Sequence, residues 1–93
     1  MDREHIYNAI KKLLKVIKPE EVIDIRFDLQ HTSPAEFTLY TTFTVSEKWW
    51  DSLDEINRAA FMHHTKVYLR QQIKNYLGIN VLFDKYNTSI KKV

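Results

Sequence analysis

Two stretches in which apolar and polar residues alternate constrain the fold more than any other feature of this sequence. The first spans residues 22–29, and the second, residues 37–45, repeats the pattern after a turn-rich loop at residues 30–36. Successive side chains of a β-strand point to opposite faces, so each stretch predicts a strand that is buried on one face. The residues of the first strand expected in the core are Ile23, Ile25, Phe27 and Leu29. Together the two stretches predict an antiparallel hairpin.

A helical pattern precedes the hairpin. Residues 5–18 place apolar side chains three and four positions apart, which is the spacing of one face of an α-helix. Pro19 ends this helix, because proline lacks the backbone N–H that the next turn needs. The apolar stripe consists of Ile6, Ile10, Leu13, Leu14 and Ile17.

A second, longer helix is predicted from residue 52 to about Leu77. Ser52 and Glu55 have the spacing of a capping box, in which a hydroxyl and a carboxylate satisfy free backbone N–H groups at a helix start. Gly78 is the expected C-terminal stop, because glycine readily adopts the left-handed conformation that ends helices.

The apolar residues of this long helix form two stripes, which lie on roughly opposite faces at 100° per residue. Either the helix bends near residues 65–68, or its second half buries a different face against the first helix or another subunit. The first stripe consists of Leu53, Ile56, Ala60 and Val67. The second consists of Met62, Leu69, Ile73 and Tyr76.

The order of these segments predicts an α+β fold. It comprises a helix, an antiparallel β-hairpin, a long helix and a last apolar segment, residues 79–83, which is either a short third strand or a docked extension. A small sheet covered by helices on one face is the simplest arrangement that buries the apolar stripes. With 93 residues the chain has material for one core, so residues 1–93 are predicted to form a single domain.

Composition argues against several kinds of chemistry. The absence of cysteine excludes disulfides and thiol catalysis, and is compatible with the cytoplasm. His63 and His64 are adjacent, so their side chains diverge on a helix and do not suit one metal ion. A single glycine leaves no phosphate-cradling loop, and no nucleophile elbow is present. We therefore expect no cofactor, no metal and no membrane segment, and enzymatic activity has no support.

Charge is distributed unevenly along the chain. Residues 1–19 carry +3, residues 20–55 carry −7 and residues 56–93 carry +6, for a net charge of +2. Such a dipolar layout favours self-association or docking onto a charged partner, although solvated helices and strands can produce it without any such role. A stripe of cations four residues apart on the long helix suits phosphate contact, with solubility as the ordinary alternative.

These patterns support two hypotheses of function. The first is a non-enzymatic protein-interaction or assembly module that self-associates, through the second apolar stripe or through the edge of the hairpin. The adjacent tryptophans before the long helix join this candidate interface, because an exposed indole commonly anchors an interface. The candidate interface residues are Trp49, Trp50, Met62, Leu69, Ile73 and Tyr76. The alternative is a nucleic-acid-binding protein that uses Lys11, Lys15, Lys66, Arg70 and Lys74.

Overall fold

The computed structural model describes residues 2–33 and 36–93, which extend over about 42 × 22 × 20 Å. Three helices and three strands occur in the described part of the chain. In order they are α1 (Arg3–Ile17), β1 (Val22–Ser33), β2 (Glu36–Val45), α2 (Glu47–Asp51), α3 (Glu55–Leu77) and β3 (Asn80–Lys92).

The strands form one mixed sheet in the order β1-β2-β3. β1 pairs antiparallel with β2, which confirms the predicted hairpin, and β2 pairs in parallel with β3. The predicted α+β class with a small sheet is confirmed. The last segment is a full strand of 13 residues, longer than the short strand or extension expected from residues 79–83. Since β2 is central, β1 and β3 are the two edges.

One face of the sheet packs against the helices. Ile6, Ile10 and Leu14 of α1 are buried, which confirms the predicted stripe, and Leu13 and Ile17 are partly buried against the same core. α3 contributes Leu69 and Ile73. From the sheet, the buried apolar side chains are Val22, Phe27, Leu29, Leu39, Phe43, Val45 and Val81.

Two details of the hairpin differ from the sequence prediction. Ile23 is 52% exposed instead of buried, because a register shift between Val22 and Asp24 turns Val22 into the core in its place. The strands also run further into the predicted loop, since β1 continues to Ser33 and β2 begins at Glu36. The part of that loop at residues 34–35 lies outside the described residues.

The predicted capping box at Ser52 is wrong. Ser46 starts the short helix α2, accepting a hydrogen bond from the Trp49 N–H at 3.3 Å, and Ser52 ends that helix. α3 instead begins after Asp54, whose carboxylate accepts a hydrogen bond from the Asn57 N–H at 2.7 Å. An aspartate serves this position well because its carboxylate also complements the positive end of the helix dipole.

The two apolar stripes of α3 have different surroundings. α3 is one continuous helix of 23 residues, capped at its end by Gly78 with φ 67°, as predicted. The second stripe faces the core, where Leu69 and Ile73 are fully buried. The first stripe faces outward, and Ile56 on it is 80% exposed. The core of this chain therefore buries the middle of the second stripe and leaves Ile56 and Val67 of the first in contact with solvent.

Candidate functional site

β1 is an edge strand of the sheet, and the direction of the backbone groups along its free edge follows from β2. The carbonyl of Val45 accepts a hydrogen bond from the N–H of Val93, so it points toward β3 and away from β1. Backbone groups alternate in direction along a strand. Thr44, Thr42 and the other even-numbered residues of β2 therefore point toward β1.

Their register partners in β1 are Asp24, Arg26 and Asp28, whose backbone groups point inward to β2. The N–H and C=O groups of Ile25, Phe27 and Leu29 consequently point outward, away from the sheet. The register shift between Val22 and Asp24 places Val22 opposite Val45, so the backbone groups of Val22 also point outward.

α1 covers the two ends of this edge. The guanidinium of Arg3 donates a hydrogen bond to the carbonyl of Leu29, and the ammonium of Lys18 donates one to the carbonyl of Val22 at 2.8 Å. These two carbonyls lie seven residues apart on β1, a distance of about 23 Å along a strand. α1 thus runs antiparallel to β1 and satisfies its edge only near each end.

Between these ends lie the outward backbone groups of Ile25 and Phe27, and both residues line a groove beside the strand. Within the described residues, neither of them forms a backbone hydrogen bond outside the β1–β2 pairing. Unpaired N–H and C=O groups in a row on an edge strand form a template for pairing with another extended chain.

A groove of about 680 Å³ runs along this open edge, between α1 and the sheet. On its inner side the ring of Tyr7 lies 4.7 Å from the ring of Phe27. A smaller hollow of about 350 Å³ continues it toward Arg3 and shares Tyr7 and Asp28 with it. We call the larger cavity the β1 groove. Its lining residues are Tyr7, Lys11, Leu14, Lys15, Lys18, Ile23, Asp24, Ile25, Arg26, Phe27, Asp28, Tyr40 and Thr42.

The charges of the β1 groove are separated between its two sides. The helix side of the lining has three lysines, two in α1 and Lys18 at its C-cap, and no carboxylate, whereas β1 contributes Asp24, Arg26 and Asp28. The Nε atom of Arg26 lies 3.6 Å from a carboxylate oxygen of Asp24, and both side chains are largely exposed. The helix side is therefore positive, and the strand side is mixed and partly neutralised.

The predicted tryptophan pair lies elsewhere, at the junction of α2 and α3. Trp49 and Trp50 are both partly buried, and both contact Phe61 edge to face, at 5.0 and 6.4 Å between ring centroids. Arg58 lies over the Trp50 ring at 5.5 Å and donates a hydrogen bond to the Trp50 carbonyl at 3.1 Å. These contacts hold the α2–α3 corner together, and they occupy much of the surface of both indoles.

The other predicted interface residues fall into two groups. Leu69 and Ile73 are fully buried inside the chain, and Met62 packs partly against the same core. They are buried because α3 turns this stripe toward the sheet and α1. Tyr76 is 68% exposed. The six residues therefore do not form one surface on the folded chain.

The predicted nucleic-acid-binding residues are also divided. Lys11 and Lys15 line the β1 groove, on the side of α1 turned toward β1. Lys66, Arg70 and Lys74 lie on α3, and Lys66 is partly buried. Leu13 and Ile17, on the opposite side of α1, pack against the core. The two groups of cations thus belong to different helices and face different surroundings.

In residues 2–33 and 36–93, no three histidine, aspartate or glutamate side chains come close enough together to hold a metal ion. The rings of His63 and His64 lie 5.6 Å apart on the exposed surface of α3. None of the helices in this part of the chain has the length and apolar character needed to cross a membrane.

Sequence reasoning singled out the hairpin edge in general terms but missed the residues that shape it. Arg3, Tyr7 and Lys18 received no role from the sequence, and Ile25 and Phe27 were expected only in the core. The strand parity of the hairpin was a usable signal, because it fixes which backbone groups of an edge strand point outward once the edge is known.

Comparisons with known proteins give no family for this chain. No protein-family model matches it, and neither the curated proteins nor the solved structures include a significant match. Function must therefore be inferred from the geometry of the chain itself.

Proposed function

We propose that this protein is a non-enzymatic protein-interaction module that holds an extended segment of a partner protein along the free edge of β1. The observation that carries the proposal is the row of outward backbone groups at Ile25 and Phe27, open between the ends covered by Lys18 and Arg3. An added strand gains main-chain hydrogen bonds at such an edge, and neighbouring side chains supply specificity.

The β1 groove supports this proposal because it provides a second wall. An added strand would lie about 4.8 Å from β1. At that position it would contact side chains of α1 that line the groove, including the ring of Tyr7. A helix wall beside an open strand edge gives a peptide both main-chain bonds and apolar contact, which an exposed edge alone does not.

Self-association, which the sequence also predicts, is less well supported at this edge. Two copies that paired their β1 strands about a two-fold axis would place both α1 helices on the same face of the joined sheet. Lys11 and Lys15 of each copy would then face those of the other, and like charges at close range oppose such pairing. The partner we propose is therefore a different protein, and a cytoplasmic location remains a prediction.

The nucleic-acid alternative has weaker support. Phosphate contact requires a surface of consistent positive charge. Lys11 and Lys15 share their groove with the carboxylates of Asp24 and Asp28, which repel phosphate. The cations of α3 belong to a different surface and do not extend the groove.

The proposal can be tested by nuclear magnetic resonance with short peptides as probes. ¹⁵N-labelled protein is titrated with capped eight-residue peptides in which threonine alternates with glutamate, glutamine or lysine. Binding of at least one peptide is expected to shift the amides of Ile25 and Phe27 and to slow their hydrogen exchange. If none of the peptides affects these two amides, the proposal is wrong.

A pair of variants at one position separates main-chain recognition from side-chain contact. Ile25→Pro removes the outward N–H, and edge strands tolerate proline where the N–H faces solvent. Ile25→Ala truncates the side chain and keeps the N–H. Once circular dichroism shows both variants folded, we expect Ile25→Pro to lose peptide binding at least tenfold relative to Ile25→Ala. Equal binding by the two variants would contradict strand addition.

A further inference from the structure

We infer that the β1 groove selects acidic segments, in which carboxylates at every second residue contact Lys11 and Lys15. This inference rests on the proposed strand addition and specifies its partner. The two lysines line the groove from α1, and within the described residues neither of them forms an ion pair or a hydrogen bond. Lys18 differs, because its ammonium donates a hydrogen bond to the carbonyl of Val22.

The spacing of the two lysines matches the spacing of side chains on a strand. Lys11 and Lys15 are one helical turn apart, which corresponds to a rise of about 6 Å along α1. Alternate residues of a strand lie about 6.7 Å apart and point to the same face. Since α1 runs antiparallel to β1, two carboxylates at positions i and i+2 of an added strand would meet the two lysines in succession.

The opposite face of the added strand is subject to a different selection. Its side chains would lie beside the row of Asp24, Arg26 and Asp28, in which Arg26 is already paired with Asp24. This row offers no uniform positive charge, so carboxylates gain nothing there. The expected recognition pattern is therefore an acidic residue alternating with a neutral polar residue.

The three probe peptides test this inference directly. Two exposed ion pairs are expected to make the threonine–glutamate peptide bind about three- to thirtyfold more tightly than the threonine–glutamine peptide at low ionic strength. The lysine peptide should bind most weakly. Because salt screens exposed charges, the ratio between glutamate and glutamine should fall toward one in about 1 M salt.

Charge-matched variants test whether the preference for glutamate over glutamine depends on the two groove lysines. Lys11→Gln with Lys15→Gln removes two charges from the groove, whereas Lys12→Gln with Lys74→Gln removes two exposed charges outside it. The first double variant should bind the glutamate and glutamine peptides equally. The second should keep the preference. If the control pair lost the preference to the same extent, net charge would explain it and the inference would be overturned.

The remaining outcomes separate this inference from the proposed function. Equal affinity of the unsubstituted protein for the glutamate and glutamine peptides would overturn the acidic preference and leave strand addition intact. Failure of all three peptides would overturn strand addition itself. A single-stranded oligothymidine that shifted the groove resonances at lower concentration than the glutamate peptide would overturn the inference in favour of a nucleic acid partner.

Discussion

The two edges of the sheet are built in opposite ways. Along β3 the register is interrupted, because the single residue between Leu39 and Thr41 faces the four residues between Phe83 and Thr88. In this interruption the carboxylate of Asp84 accepts a hydrogen bond from the Tyr86 N–H at 2.8 Å. Along β1 the register is regular from Asp24 to His31. One edge is broken in its middle, and the other is continuous there.

This difference matters because continuous edges are a hazard for soluble proteins. Bulges are a common device that prevents an edge strand from pairing with another chain. β3 has such an interruption in its middle, whereas β1 has register shifts only near its two ends, where side chains of the α1 segment also cover it. Binding is therefore expected at β1, the edge strand that is open in its middle, and not at β3, the edge strand that is interrupted there.

The largest expected effect is an alternation of hydrogen exchange along β1. The amides of Arg26 and Asp28 point into the sheet and should be protected at least about 1,000-fold, since they exchange only when the sheet opens. The amides of Ile25 and Phe27 point outward and should be protected less than about tenfold. Exchange measured by two-dimensional nuclear magnetic resonance resolves each residue.

The neighbouring strand supplies the control. β2 is bonded on both sides, so Thr42 toward β1 and Phe43 toward β3 should both exchange slowly. Strong protection of Ile25 and Phe27 in dilute protein without peptide would mean that the β1 edge is already covered, and the contrast between the two edges would disappear.

The next effect concerns the interruption in β3. Replacing residues 84–87 by one threonine would give β3 the same residue count as β2 and a continuous edge. We expect this variant to associate with rising concentration, because both edges would then be open to pairing. Light scattering across a dilution series measures the change. If the shortened protein had the same mass as the unaltered one at every concentration, the interruption would not be what protects this edge.

The smallest effects concern β2, which serves both edges. The hydroxyl of Thr41 is buried and has no hydrogen-bond partner among the described residues. Thr41→Val should raise the free energy of unfolding by about 1 kcal/mol, because it replaces an unsatisfied buried hydroxyl with a methyl group.

Thr42 gives the matched comparison. Its hydroxyl lies 2.9 Å from that of Ser89 and links β2 to β3 on the uncovered face. Thr42→Val should lower the free energy of unfolding by about 0.5 kcal/mol in urea titrations. Shifts of the same sign in both variants would contradict the assigned hydroxyl environments.

The local parts of this fold follow from the sequence, and the non-local parts do not. Alternation and helical spacing predicted the hairpin, α1 and the end of α3 at Gly78, because each pattern reports which side of one element is buried. The capping error arose because Ser52 and Asp54 are both good caps, and the short helix before them decided between them. The exposure of Ile23 depends on a register shift, and no local sequence pattern predicts that shift.

The parallel pairing of β3 and the β1 groove were beyond such patterns. Periodicity shows that a strand has an apolar face, but it does not show which strand lies beside it or in which direction. The roles of Arg3 and Lys18 depend on α1 lying along β1, which is a property of the packed chain. The two stripes of α3 were visible in the sequence, and only packing against the sheet determined which one became the core.

The pairing of β2 with strands on both sides also has a consequence for how the chain folds. Its contacts with β1 join neighbouring segments, whereas its contacts with β3 join residues that are 44 positions apart, as in Leu39 and Phe83, or 47 positions apart, as in Thr41 and Thr88. Pairing of distant segments is slow, because the entropy of closing a long loop is lost before any stabilising contact forms. We therefore expect the hairpin of β1 and β2 to form before β3 joins the sheet.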